Sequence, residues 1–375
     1  MRLHALPTAI LLLMSILSSS HAASSSVESA VWGKTAAGEE VKLFTLRNAN
    51  GMEAKITNWG GYIVSLKVAD KKGQFADVVL GFDSLEGYLA KNPFFGCITG
   101  RYANRIGGAK FKIDGTEYPV TPNSGKHQLH GGKEGFDKKL WAAKEIRDGV
   151  ELTYTSADGE EGFPGKLECT VTYRLKDGNA LEINYRATTD KPTVLNLTNH
   201  AYFNLAGEGS RDILGHILTI PHEQITATDD DLIPTGEIIN IKGTPLDFTT
   251  PHTIGERIDE HFIPLLQGIG YDHNYVLLKP DSQPGYSMKI AAVVREPVSG
   301  REMMVVTTEP GVQLYTGNHL NGVAGKNGHI YAKRHGFCLE TQHYPDSPNH
   351  PNFPSVILRP GETFHSTTTY LFSAE

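Results

Sequence analysis

Along most of this chain, apolar residues return at every second position. In KLECTVTYRL, residues 166–175, Leu167, Cys169, Val171, Tyr173 and Leu175 share one side and polar residues separate them. ALEINYRA, residues 180–187, repeats the pattern through Leu181, Ile183 and Tyr185. A period of two belongs to a strand with one buried face. Asp177-Gly178 stands between the two runs, so they predict a hairpin turning there. Similar short runs occur at 41–46, 53–59, 62–68, 288–294, 303–308 and 367–372.

Helical patterns are few. SLEGYLAKN (84–92) and TIGERIDE (253–260) are the best candidates. Strands that are not separated by regular amphipathic helices argue against a doubly wound parallel sheet. No fixed-period repeat points to a propeller. The expected fold is all-β: one large antiparallel β-sandwich with few short helices, spanning residues 29–375 as a single domain. The 39 Gly and 20 Pro of the 375 residues suit many turns.

The first 22 residues follow another rule. Arg2 precedes an apolar run from Ala9 to Leu17, and Ser20 and Ala22 take the −3 and −1 places of a cleavage site. This reads as a secretory signal peptide, since the run is shorter than the ~20 residues of a membrane span. Residues 23–28 read as a flexible leader. The mature chain is expected to be exported, periplasmic or extracellular, and free of the membrane. Cys97, Cys169 and Cys338 are too few for a disulfide framework and read as buried small hydrophobes.

Four segments carry polar residues where a strand or its end needs a reason for them. In TVLNLTNHAYFNL (193–205), Leu195, Leu197, Ala201, Phe203 and Leu205 make an apolar face. Asn196, Thr198, His200, Tyr202 and Asn204 make a polar one, either solvated or ligand-filled. In GRYANRIGGAKFKIDG (100–115), Asn104 and Arg105 suit a grip on vicinal hydroxyls, or Arg105 pairs with a carboxylate. HQLHGG (127–132) places His130 beside glycines, and no third or fourth partner at convincing spacing supports a metal site. Asp272 of GYDHNYVL and Glu340 of GFCLETQHYPDSPNHPNFPS lie where strand meets loop. Glu340 falls on the face opposite Phe337 and Leu339.

The net charge of −7 has no basic run for nucleic acid. No P-loop, G-x-S-x-G or H-E-x-x-H is present, so nucleotide cofactors and serine hydrolysis have no support. Lys and Arg do not cluster in these segments as phosphate recognition prefers. A neutral or cationic small ligand fits this balance better than a phosphorylated one.

Taken in order, GRYANRI, LHGG, NLTNHAYFNL, GYDHNYVL, PGVQLYTGN and LETQHYPDSPNHPNFPS resemble the aldose 1-epimerases, also called galactose mutarotases, from about Thr35 to the C-terminus. The resemblance implies the galactose mutarotase-like supersandwich, no cofactor, no metal, and interconversion of the α and β anomers of free aldohexoses such as glucose and galactose. It places Glu340 as general base and His200 as general acid, with Asn104, Arg105, His130, Tyr202, Asp272 and Gln313 binding substrate. Mutarotation suits such a pair: a base takes the C1 hydroxyl proton, an acid protonates the ring oxygen, and the roles reverse on closure. Ionised Glu340 is expected to help keep His200 protonated. A monomer is expected. Two other readings stay open: a non-catalytic sugar-binding module, and a glycosidase using Asp272 and Glu340. Asn196-Leu197-Thr198 is a glycosylation sequon, expected to be unmodified because a glycan there obstructs the cleft.

Overall fold

A computed structural model describes residues 25–277 and 287–375; the expected signal peptide lies outside them. Among the described residues the strands form three larger antiparallel sheets and five two-stranded ones. A five-stranded meander runs from Ser26–Lys34 through Glu40–Arg47, Glu53–Thr57 and Ile63–Ala69 to Phe75–Asp77. It begins at Ser26, so Ser26–Glu28 belong to the fold and not to a leader. A nine-stranded sheet is built around Leu167–Lys176, Ala180–Thr189, Phe364–Ala374 and Arg301–Thr307. A second five-stranded sheet has the order Pro234–Asn240, Gln224–Thr228, Asp272–Val276, Gly311–Tyr315, Cys338–Gln342. One main core takes side chains from all three, including Phe44 and Ile56, Val171 and Ile183, and Tyr275, Leu314 and Leu339. The expected sandwich is therefore present.

The 166–187 hairpin pairs Leu175 with Leu181 and Lys176 with Ala180. Its turn differs in detail. Three residues close it, and Asn179, not Gly178, takes the left-handed conformation, at φ 55°. Asn tolerates that region, and its side chain accepts hydrogen bonds from Asn48 and Asn50. Of the two helical patterns, 84–92 yields a helix at Leu85–Leu89. The other fails: 253–260 is turns after a two-residue strand, and a short helix follows at Ile263–Gly268, with Pro264 in its first turn. Proline is tolerated there because the first N–H groups of a helix have no intrahelical partner. Among the described residues no helix is long and apolar enough to cross a membrane.

The largest departure concerns 193–205. It is not one strand but two short ones, Thr193–Val194 and Thr198–Asn199, with single bridges at Asn196 and Phe203. The apolar positions join the core as expected. The polar face, however, is buried throughout. Asn196 donates to the carbonyls of Ala103 and His343 and accepts from the His343 N–H. Asn204 donates to the carbonyls of Arg211 and His335. These amides stand in for ladder partners that the interrupted strand lacks, because buried backbone groups must be paired. Only His200 and Tyr202 of this face reach a cleft.

Burial also sets a pH dependence. His216 and His273 lie far from water and burial holds each at about 4. A histidine whose folded value is depressed lends stability that is full above its unfolded value of ~6.5 and is lost as pH falls toward the folded one. Asp137, pushed up to about 6 by burial, works in the opposite direction. His216 accepts the Leu205 N–H through Nε2, and a Gln carbonyl can accept the same bond. We expect the urea midpoint of the parent to drop between pH 6.5 and 4.5, and that of His216→Gln to drop less. Equal losses in both proteins would show that His216 does not titrate with folding.

Candidate active site

The Asp272–Val276, Gly311–Tyr315 and Cys338–Gln342 strands lie side by side, with Asn274 opposite Gln313 and Gln313 opposite Glu340. The last strand is buried along its whole length. Leu339 enters the core, and Thr341 Oγ1 meets Thr368 Oγ1 of the nine-stranded sheet at 2.5 Å. Residue alternation then turns Cys338 and Glu340 the other way, where Glu340 lines an open cleft. The sequence reading of this strand's faces and the observed orientation agree.

Opposite Glu340 stands His200. Its Nε2 is 3.6 Å from Glu340 Oε2, and the two side chains are 5% and 3% exposed. That distance is too long for a hydrogen bond. Glu340 Oε2 has no hydrogen-bond partner in the protein. A buried acceptor left unpaired beside a cleft is a place where a ligand hydroxyl belongs. The His200 ring stacks on Tyr202 at 5.2 Å and on Phe94 at 5.8 Å. Tyr202 thus faces the imidazole as well as the cleft.

The other wall comes from the 100–132 region. Asn104 (φ 62°) and His130 (φ 50°) both take left-handed backbone. Gly131 follows at φ 89°, where a Cβ would lie 1.8 Å from the Gly100 carbonyl oxygen, so only glycine fits. This turn sets His130 Nδ1 3.1 Å from the Asn104 N–H, which donates to it. Nδ1 is therefore the unprotonated nitrogen, and neutral His130 carries its proton on Nε2 as a fixed donor. Burial keeps His130 well below the usual histidine range. Asn104 Oδ1 accepts from Arg105 Nη1, and Arg105 Nη2 lies 3.7 Å from Asp272 Oδ2. Both open roles of Arg105 meet here, since it pairs with a carboxylate and lines the cleft.

Gln313 stands apart from the other expected binding residues. It does not line the cleft; its Nε2 donates to Asp272 Oδ1 at 2.6 Å. The chain Gln313–Asp272–Arg105–Asn104 fixes the wall from behind. Six lining residues were not singled out in the sequence: Pro93, Phe94, Leu129, Tyr315, His319 and Leu320. Phe94 has a φ of 65° and follows Pro93, yet its segment shows no polar alternation to draw attention. His343 and His350, read as structural, contact Glu309 and Asp346.

The donor atoms of His130, His200 and Glu340 lie within 4.8 Å of one another. The set nonetheless suits a metal poorly. To ligate through Nε2, His130 must move its proton to Nδ1, directly against the Asn104 N–H. That costs a buried hydrogen bond and opposes two donors.

Burial pushes Glu340 well above the carboxylate range, with Asp272 adding to the effect and Arg105 opposing it. Burial also lowers His200 to about 4, against smaller raising effects from a backbone hydrogen bond and Asp272. Burial thus works against the charge on both groups, in the direction opposite to the expectation that ionised Glu340 holds the proton on His200. Desolvation is the largest cause for each, and it favours the protonated carboxyl and the neutral imidazole.

The aldose 1-epimerase family model matches residues 42–371. The human galactose mutarotase is 45% identical over 350 residues, covering 93% of this chain and 99% of that protein. The Escherichia coli aldose 1-epimerase is 39% identical, covering 90% and 97%. Among solved structures, an aldose epimerase homologue from C. elegans aligns with a TM-score of 0.79 and 31% identity over 87% of this chain and 96% of that one. The galactose 1-epimerase of Lactobacillus acidophilus aligns at 0.81 and 25%, over 94% and 99%. With its sheets, its cleft and its length accounted for in this way, the chain belongs to the aldose 1-epimerase family of isomerases.

Proposed function

We propose that this protein interconverts the α and β pyranose anomers of free aldohexoses, glucose and galactose among them, with Glu340 and His200 as the exchanging pair. The observation that carries the reading is their separation: 3.6 Å between two buried side chains at the cleft, with a carboxylate oxygen unpaired. The two oxygens that must trade a proton in mutarotation, O1 and the ring oxygen, are both bonded to C1. A base and an acid this close can reach both at once.

Burial favours the protonated form of Glu340 and the neutral form of His200. A sugar hydroxyl that donates to Oε2 favours the ionised carboxylate, and the proton passes to His200. Glu340 then takes the O1 proton as His200 protonates the ring oxygen. The ring opens, C1 turns about its bond to C2, and the steps run backward on the other carbonyl face. Atoms and protons balance over the cycle, and no group outside the pair is consumed. His130 Nε2–H, Arg105 and the Asp272 carboxylate supply the fixed donors and acceptor for the sugar's hydroxyls, roles that suit a neutral polyol.

Asp272 is already bound to Gln313 and lies close to Arg105. That leaves it ill-suited as the protonated partner a glycosidase needs. Acceleration of the optical-rotation change of freshly dissolved α-D-glucose or α-D-galactose tests the reading. Release of sugar from a glycoside without such acceleration favours the glycosidase instead.

We further propose that residues 1–22 are removed on export and that Asn196 carries no glycan. Asn196 is buried with its amide fully engaged. Intact mass of the protein from its native source is expected to match a chain starting at Ala23 with no added sugar. A mass including residues 1–22, or a hexose ladder on Asn196, would refute the respective statement.

A further inference from the structure

We propose that Cys338 is a positioning residue: its sulfur accepts the Nδ1–H of His200 and so leaves Nε2 free to take and return the proton. The inference rests on the mutarotase reading of the cleft. Cys338 and Glu340 are two residues apart on one strand, hence on the same face. The strand therefore holds both ends of one imidazole, with Cys338 Sγ 3.5 Å from His200 Nδ1 and Glu340 Oε2 3.6 Å from Nε2. Both side chains are buried, and the thiol is unbridged.

Chemistry decides the direction of the contact. An imidazole that accepts a proton at Nε2 must already hold its other proton at Nδ1. The Nδ1–H stays in place through opening and closure and needs an acceptor throughout. Thiol sulfur is a weak acceptor without charge, and burial keeps Cys338 protonated. A carboxylate in its place stabilises the imidazolium and holds the proton. A reaction whose acid and base must change places is served by a partner that orients the ring without binding the proton.

The neighbouring imidazole makes the contrast. His130 has the opposite tautomer, imposed by the Asn104 N–H, and is locked as an Nε2–H donor. Two histidines with ring centroids 5.0 Å apart are thus given different tasks by what their Nδ1 atoms meet. The groups facing His200 are Glu340, Cys338, His130, Tyr202 and Tyr315, with Asp272 acting on it electrostatically. Among these side chains Cys338 is the one that contacts Nδ1, and the backbone of His200 itself makes a further hydrogen bond to the ring. The three cysteines therefore differ: Cys97 and Cys169 fit the reading as buried hydrophobes, and Cys338 does more.

The test combines histidine ¹⁵N chemical shifts with steady-state mutarotation of the parent, Cys338→Ser and Cys338→Ala. The parent is expected to show His200 as the Nδ1–H tautomer near neutral pH. Cys338→Ala is expected to lose that preference and about tenfold in kcat, with KM within about twofold. Cys338→Ser, which restores an acceptor, should recover both. A parent in the Nε2–H tautomer, or an alanine variant with unchanged kcat and tautomer, overturns the proposal. If the alanine variant does not fold, the parent tautomer and the serine variant decide alone. A parent with the expected tautomer but no mutarotation leaves this contact standing and removes the functional reading.

Discussion

Glu340→Gln is expected to lower kcat for mutarotation by about 10²–10⁴-fold, the range for loss of a positioned proton-transfer group, and at the same time to raise stability at neutral pH. The first effect follows from the loss of the carboxylate that stands 3.6 Å from Nε2 of His200 and is assigned to take the O1 proton. KM should change less, because His130, Arg105 and Asp272 remain. The second effect follows from burial. Glu340 has a folded value raised above its unfolded one. Such a carboxyl favours the folded state below about 4.5, and this contribution is lost as pH rises through the folded value. Gln keeps the shape of the protonated acid and never ionises. The variant should gain on the order of 1 kcal/mol at pH 7–8, with the gain fading toward pH 4. Chemical unfolding at both pH values checks it. A variant less stable than the parent at pH 8 would mean that Glu340 is held by partners stronger than burial.

His200→Asn is expected to cost about 10²–10³-fold in kcat and to change the shape of the pH profile. The working form of the pair holds one proton between its two members. In the parent a second proton arrives as pH falls toward about 4, the value to which burial lowers His200. The single proton is lost as pH rises past the raised value of Glu340. The profile is a bell whose two limbs belong to the pair as a unit. Without His200 the residual rate depends on ionised Glu340 alone, so the alkaline limb turns from a fall into a rise. A variant whose alkaline limb still falls would show that the limb belongs to some other group. The acid limb of Glu340→Gln carries a related message. Burial is the largest cause of the lowered value of His200, so an acid limb below the usual histidine range should persist in that variant.

How much of this was visible in the sequence depends on how local each signal is. Strands were legible where apolar residues alternate, as in 166–187, because the period of two is written in consecutive residues. The direction of Glu340 was legible for the same reason: Phe337 and Leu339 fix the other face. The helix at 253–260 was misread because a short periodic run does not outweigh turn formation, and Pro264 starts the helix later. The polar face of 193–205 was half legible. His200 and Tyr202 do reach the cleft, but Asn196, Thr198 and Asn204 do not. Whether an Asn meets water, a sugar or a backbone carbonyl depends on residues such as Ala103, Arg211 and His343, which lie up to 147 positions away.

Arg101 illustrates the same limit. It shares a motif with Arg105, yet it is buried and gives its guanidinium to Ser156, Ala157 and Pro164. Nothing in GRYANRI distinguishes the structural arginine from the one at the cleft. The protonation of the pair was not legible either. Sequence shows that a carboxylate and an imidazole exist, and their charges then suggest mutual stabilisation. Only the depth of both groups shows that burial works against the charge on each.

The most direct test of the account is polarimetry of freshly dissolved α-D-glucose and α-D-galactose with the parent, Glu340→Gln and His200→Asn. The account predicts that the first-order rate of rotation change rises in proportion to parent concentration, and that each variant loses at least about 10²-fold of that increment. No acceleration by the folded parent with either sugar would contradict it, as would full activity in either variant.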